Sequence, residues 1–408
     1  MGASGRAPGR LPKDVVGGAG AGFKGSFAPA AFTVAVARRI LTVPPRGVIP
    51  SMSVIRPRPP TDPIMHEVPA AWTGGAADRF RDWVPRIEAA RPRLAAPDTA
   101  TAILAGYGTL RAPARRRESP LFALLARARR VREEVDRVVV VGDRPDRGLV
   151  DLLLAACCHP LHVHLSRAGR GGRPQVFTLG PEDDDDRVQG LLDLLAERTG
   201  DALRDAWSVV PTGPCVDRRT GLLLALLGSV RGTAGGDAGA APEGDRASSA
   251  PTPAGEACLA PLLPAAIAGI DVVRILEGMA AMERRFAEAA LGSNPVVTFV
   301  AVGRALAEGD GHAPPRRGLH PPPSWQGLAE WAAALGVVAP PTAAGAGHGT
   351  VLEVESCRRR PFGPDVPPQP PAVAAGLDAI RLPRADEHAV GQVLALLALA
   401  ARLDRLVG

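Results

Sequence analysis

An α/β fold built of doubly wound parallel sheets is what this sequence predicts, and three observations carry the prediction. Four consecutive valines, Val138–Val141, stand between Arg137 and Gly142. A short, β-branched, uniformly apolar run is the pattern of a strand buried on both faces, which occurs in parallel sheets. Strand and helix patterns then alternate from Val138 to Val230, as βαβ units require. After a low-complexity break, a second series of helix and strand patterns runs to the end of the chain. Two such domains joined by connecting helices are therefore expected, over residues 64–258 and 259–408, behind a leader spanning 1–63.

Each element has its own signal. Residues Met1 to Pro63 are rich in Gly, Pro and Arg without amphipathic period, the composition of a disordered leader. Ala76–Ala90 and Ser119–Val135 carry apolar residues at helical spacing. Behind the valine strand, Gly148–Cys158 (GLVDLLLAACC) reads as a helix, Gln175–Leu179 as a strand and Asp186–Arg198 as a helix. Trp207–Val210 is a further strand, with Thr220–Val230 as its helix. Arg231–Gly255, Gly311–Pro323 and Arg360–Pro371 read as linkers. Between them, Leu259–Ala290 is helical with a break at Ile270-Asp271. Asn294–Leu306 is either a helix or a strand–helix junction, and Trp325–Leu335 is a helix. Thr350–Glu355 and Ala379–Pro383 are extended, and a helix from Glu387 to Arg405 closes the chain.

Composition excludes several function classes. Of 408 residues, 46% are hydrophobic and 22% charged, so wholesale disorder is excluded. The net charge of +6 is nearly all Arg, because Lys occurs only at Lys13 and Lys24. An Arg-for-Lys, Ala/Gly/Pro-rich chain is what a GC-rich genome writes, so the basicity does not argue for nucleic acid. Aromatics at 4% leave no stacking platform for single strands. The five cysteines (157, 158, 215, 258 and 357) include no C-x-x-C pair, which speaks against a disulfide framework or structural zinc. Cys157-Cys158 reads as core filler. A reducing cytoplasm is the expected compartment. No membrane partner is expected, since the apolar stretch Ala30–Val43 falls short of the ~20 residues a span needs and is interrupted by Arg38-Arg39.

Specific strings then become informative. Leu263–Met282 (LPAAIAGIDVVRILEGMAAM), His159–Thr178 (HPLHVHLSRAGRGGRPQVFT), Asp185–Leu195 (DDRVQGLLDLL) and Arg381–Ala398 (RLPRADEHAVGQVLALLA) each resemble a block of the phosphoglucose isomerase family. They are collinear and in family order between Val138 and Gly408. The resemblance implies two sugar-isomerase domains, a hexose phosphate as ligand and a homodimer. It also implies interconversion of glucose 6-phosphate and fructose 6-phosphate through a cis-enediol, without metal or other cofactor. In that chemistry a His opens the ring, a Glu shuttles the proton, an Arg and a Lys stabilise charge, and a Ser/Thr-rich loop holds the phosphate.

Carried onto this chain residue by residue, the pattern is thinned. The phosphate loop corresponds to Thr212-Gly213-Pro214-Cys215-Val216-Asp217 with Thr220 opening the helix, so Thr212, Cys215 and Thr220 are the candidate phosphate contacts. Pro214 removes a backbone donor, and Asp217 adds a negative charge where phosphate would sit. The glycine-rich sugar turn corresponds to Gly142-Asp143-Arg144-Pro145-Asp146, keeping Gly142 and offering Arg144 as an anion contact. The proton-shuttling Glu corresponds to Ala333, with Glu330 one turn away. His348 is the candidate ring-opening base, His388 reads as a helix-opening residue, and Arg246 is the Arg nearest the enediolate position. No Lys follows Lys24. A methyl group in place of a positioned general base costs ~10²–10⁴-fold or more in rate. The expectation is a glucose-6-phosphate isomerase-like protein, weakly active or inactive; the alternative is a non-catalytic sugar-phosphate-binding or regulatory protein.

Overall fold

The structure is a computed structural model and describes residues 64–68, 75–94, 120–197, 199–212, 217–234, 261–290, 293–309, 317–339, 349–354 and 378–407. The leader and most of the three linkers lie outside these residues.

The valine run is the central strand of a three-stranded, all-parallel sheet. In chain order, β1 is Met65–Glu67, β2 Arg137–Val141, β3 Gln175–Leu179 and β4 Trp207–Pro211, and the sheet order is β3-β2-β4. Helices follow β2 (α3, Arg144–Cys157), β3 (α4, Asp185–Ala196) and β4 (α6, Arg218–Ala234). Alternation along β2 sends Val138 and Val140 to one face and Val139 and Val141 to the other. The first pair joins the large core with Leu149, Leu152 and Leu153 of α3. The second pair joins a smaller core with Leu191 and Leu195 of α4 and Leu223 and Leu227 of α6. All four valines are fully buried. Burying each contributes about 1.5–3 kcal/mol, so this run anchors both layers.

The acidic string before α4 is a helix start. The Asp184 carboxylate accepts the Arg187 amide at 2.7 Å, and Asp185 and Asp186 occupy the positively polarised first turn. A short helix, α5 (Ala202–Asp205), precedes β4 and is capped by Asp201.

The second sheet has the order β1-β7-β6-β5, with β5 Gly318–His320, β6 Gly349–Val354 and β7 Asp378–Leu382. β5, β6 and β7 are parallel, while β1 runs antiparallel to β7. Thus the first described strand of the chain joins the sheet built by its last three. Two strands differ from the sequence reading: β5 forms at the end of a stretch read as linker, and β1 was not expected.

Helices α1 (Gly75–Leu94), α2 (Pro120–Glu134), α7 (Leu262–Ala268), α8 (Val272–Glu288), α9 (Pro295–Gly309), α10 (Gln326–Ala334) and α11 (Glu387–Val407) enclose the large core. The break at Ile270-Asp271 separates α7 from α8: Gly269 ends α7 at φ 83°, and Asp271 caps α8. In α11, every residue from Ala389 to Leu403 is buried. Its approach to α8 is set by two glycines. A Cβ on Gly391 would lie 2.0 Å from the Ile275 carbonyl, and one on Gly278 would lie 2.0 Å from that of His388.

Candidate functional site at the carboxyl edge of the first sheet

In open α/β sheets, ligands bind outside the carboxyl ends of the strands, where the strand order reverses. Here that point lies between β2 and β4. Gly142 follows β2 and donates its amide to Leu179 at 3.1 Å, while the Thr212 amide donates to Val141 at 3.0 Å. The two residues abut: a Cβ on Gly142 would fall 1.7 Å from Thr212 Oγ1. Close approach, not a turn, is what demands glycine there. Thr212 is fully buried, and its Oγ1 has no hydrogen-bond partner.

Asp143 is the N-cap of α3, yet its carboxylate makes no capping hydrogen bond to that helix. It reaches across to the start of α6. Thr220 Oγ1 donates to Asp143 Oδ1 at 2.6 Å, and the Asp217 amide lies 3.4 Å from Oδ2. Asp217 in turn accepts the Arg219 amide at 2.7 Å. Arg219 also donates to the Asp183 carbonyl at 2.7 Å and to Asp185 at 2.8 Å. Arg147 pairs with Glu182 and, at 2.7 Å, with Asp183, which also accepts the Gly180 amide at 2.7 Å. The guanidiniums around the crevice are thereby engaged by its own carboxylates.

Helix α10 supplies the remaining wall. It packs on α3 through a second glycine contact, where a Cβ on Gly327 would lie 2.1 Å from the Gly148 carbonyl. Glu330 of α10 then sits 3.8 Å from Arg144 Nε, and Glu182 sits 4.0 Å away on the same nitrogen. Ala333 is half-buried and packs against the large core. Burial, and secondarily the Asp143 charge, push the Asp146 carboxyl above its ordinary value. Burial likewise raises Asp151, against the opposing pull of a Thr178 hydrogen bond and of Arg147 and Arg187. Carboxylates outnumber cations here, and an added dianion within ~4–6 Å of an uncompensated carboxylate is repelled.

Of the residues singled out from the sequence, Gly142, Thr212 and Thr220 come together around Asp143. Arg144 stands at the exposed rim, turned to Glu330 and Glu182. Cys215, His348 and Arg246 lie outside the described residues. His388 opens α11 as its second residue, with Nδ1 3.2 Å from Gln392 Nε2. Cys157 is buried in the large core and Cys158 packs beside it. Sequence reasoning missed Asp143. Its available signal was an Asp directly after a buried strand and Gly, with Pro two residues on, which marks a helix N-cap; that its carboxylate turns to α6 instead has no local signal.

A separate cavity of about 480 Å³ lies between α1, α8 and α11, lined by Glu88, Leu94, Phe286 and Leu399 among others. The guanidinium that lines it, Arg91, is engaged by Glu88 and by the carbonyls of Ala287 and Ala289. Among the described residues, no group of three or more His, Cys, Asp or Glu is placed to hold a metal ion, and no helix is long and apolar enough to cross a membrane.

The fold and crevice define an α/β protein with parallel-dominated sheets. No protein-family model and no curated protein matches the chain. Among solved structures, a hypothetical protein from Thermus thermophilus is similar over 84% of this chain and 94% of its own, with a TM-score of 0.56 and 16% sequence identity. At that identity the likeness concerns the arrangement of elements, not the chemistry.

Proposed function

We propose that this chain is a glucose-6-phosphate isomerase-like protein that has lost proton transfer and survives in a non-catalytic, regulatory role. The observation that carries the reading is on α10. Position 333, where the resemblance calls for the proton-shuttling carboxylate, is a methyl group against the core. The nearest carboxylate on that helix, Glu330, is one turn back and faces Arg144 at 3.8 Å. Aldose–ketose isomerisation needs one base positioned to move a proton between adjacent carbons, and Glu330 stands one helical turn from the position where the resemblance calls for it. The finer features, two sugar-isomerase domains and a homodimer, remain part of this proposal.

The test is a coupled assay with fructose 6-phosphate, comparing the chain with its Glu330→Gln variant. The expected result is no turnover above background in either. Turnover that Glu330→Gln abolishes would show a working base relocated by one helical turn and would overturn the reading.

A further inference from the structure

We propose that the crevice between β2 and β4 is an anion site occupied by the chain's own Asp143 carboxylate, which excludes a phosphate-bearing small molecule. The inference rests on the reading above in taking the crevice as the counterpart of a sugar-phosphate site.

Asp143 is placed to cap α3, where an Asp side chain ordinarily accepts an amide of its own first turn. Instead it leaves α3 and takes the Thr220 hydroxyl at 2.6 Å, with the Asp217 amide at 3.4 Å. Both donors belong to the start of α6, a 17-residue helix whose polarised first turn favours an anion. A second, independent sign is Thr212. It is fully buried, and its Oγ1 is turned toward Gly142, the residue before Asp143, yet it meets no acceptor. Leaving a buried hydroxyl unsatisfied costs ~1–3 kcal/mol, so such groups call for an explanation. A planar carboxylate brings two oxygens on a short side chain, whereas a phosphate brings three or more in a tetrahedral array. A spare hydroxyl thus stands against Gly142, one residue from the resident carboxylate. The carboxylate and a phosphate cannot share it, because two anions at contact distance repel.

The probe is inorganic phosphate, followed by titration calorimetry and by melting in phosphate against chloride at equal ionic strength. The wild-type chain is expected to show no saturable binding. Asp143→Gly should gain phosphate affinity by at least about tenfold, a modest return for removing a like charge at contact distance. Asp143→Asn should fall between the two, since its amide oxygen still accepts the Thr220 hydroxyl without the charge. Adding Thr220→Ala to Asp143→Gly should remove most of the gain. Equal phosphate response in the wild type and a folded Asp143→Gly chain overturns the proposal, as does a gain indifferent to Thr220→Ala. If Asp143→Gly does not fold, Asp143→Asn decides by the same comparison. Sugar-phosphate turnover by the wild type would sink both the silent-enzyme reading and this inference, while absent phosphate binding in the folded variants would sink this inference alone.

Discussion

Replacing Gly142 by Ala tests the geometry on which the crevice depends. The added Cβ would stand 1.7 Å from Thr212 Oγ1, 3.0 Å from its Cβ and 3.3 Å from its Cγ2. Thr212 is fully buried and its amide is fixed to Val141, so the side chain must rotate and the strand ends must part. Overpacking of this kind costs ~1–3 kcal/mol, and the upper half of that range is expected because two backbone-anchored strands resist separation. Thr212→Ala alone should be nearly neutral. It loses a buried methyl worth about 1 kcal/mol but also removes an unsatisfied hydroxyl costing ~1–3 kcal/mol. In the double variant the 1.7 Å and 3.3 Å contacts vanish and only the 3.0 Å contact remains. A double-mutant cycle by urea unfolding should therefore return a coupling of ~1 kcal/mol or more in the direction of rescue. Additivity of the two single changes would refute the argument that Thr212 is what requires glycine at position 142.

Two further outcomes follow from the same structure. Asp146 has a folded-state pKa raised by burial and by Asp143, so its contribution to stability is complete below the unfolded value and is lost as pH rises through the folded one. Asp146→Asn should accordingly raise the melting temperature relative to wild type more at neutral pH than near about pH 4, and an equal offset at both would contradict it. In the helix core, Gly391→Ala sets a methyl 2.0 Å from the Ile275 carbonyl and should cost ~1–3 kcal/mol despite the better helix propensity of Ala. Gly190→Ala, on the exposed side of α4 with nothing within 4 Å, should instead stabilise by ~0.5–1 kcal/mol in the same unfolding experiment.

What the sequence disclosed, and what it hid, divides by the range of the interactions. The valine strand, the helices after β2, β3 and β4, and the long closing helix were legible because their patterns are local. Helix α3 starts at Arg144, earlier than the Gly148 read from apolar spacing, because extended Asp143 and Pro145 in the first turn set a start without apolar residues. β5 and β1 were hidden: each has three residues and becomes a strand by pairing with distant chain, Gly318 with Gly349 and Met65 with Arg381. The ambiguous stretch after Asn294 is rich in Val, Thr and Phe, which suits either structure. It becomes α9 because Asn294 holds the Val297 amide at 3.4 Å and donates to the Phe286 carbonyl at 2.9 Å, fixing the first turn against α8. At the crevice, Gly142, Thr212 and Thr220 could be nominated from motif correspondence. The role of Asp143 could not, since its partner Thr220 is 77 residues away.

The opposite ends of the two sheets differ in a way that assigns their roles. At the amino edge of the second sheet, His66 Nε2 lies 2.9 Å from Asp378 Oδ2, and Thr350 donates to the same oxygen at 2.7 Å. Arg317 stacks on Phe299 at 3.5 Å and stands 3.9 Å from that carboxylate. Burial lowers Arg317 to about 10, and although burial alone would raise Asp378, its bond and charge contacts with His66, then Arg317 and Thr350, hold it below its ordinary value. A charge cluster so enclosed, drawing one residue from the start of each of β6 and β7, fastens strands together and is buried among the described residues. The carboxyl edge of the first sheet differs: its ion pairs are partly open to solvent, and the carboxylate that begins a helix reaches instead to the start of a neighbouring one. Such a misfit is costly in a purely structural cluster and is intelligible in a site whose original occupant has been replaced. Chemistry in this chain is therefore to be sought around Asp143 and not around Asp378.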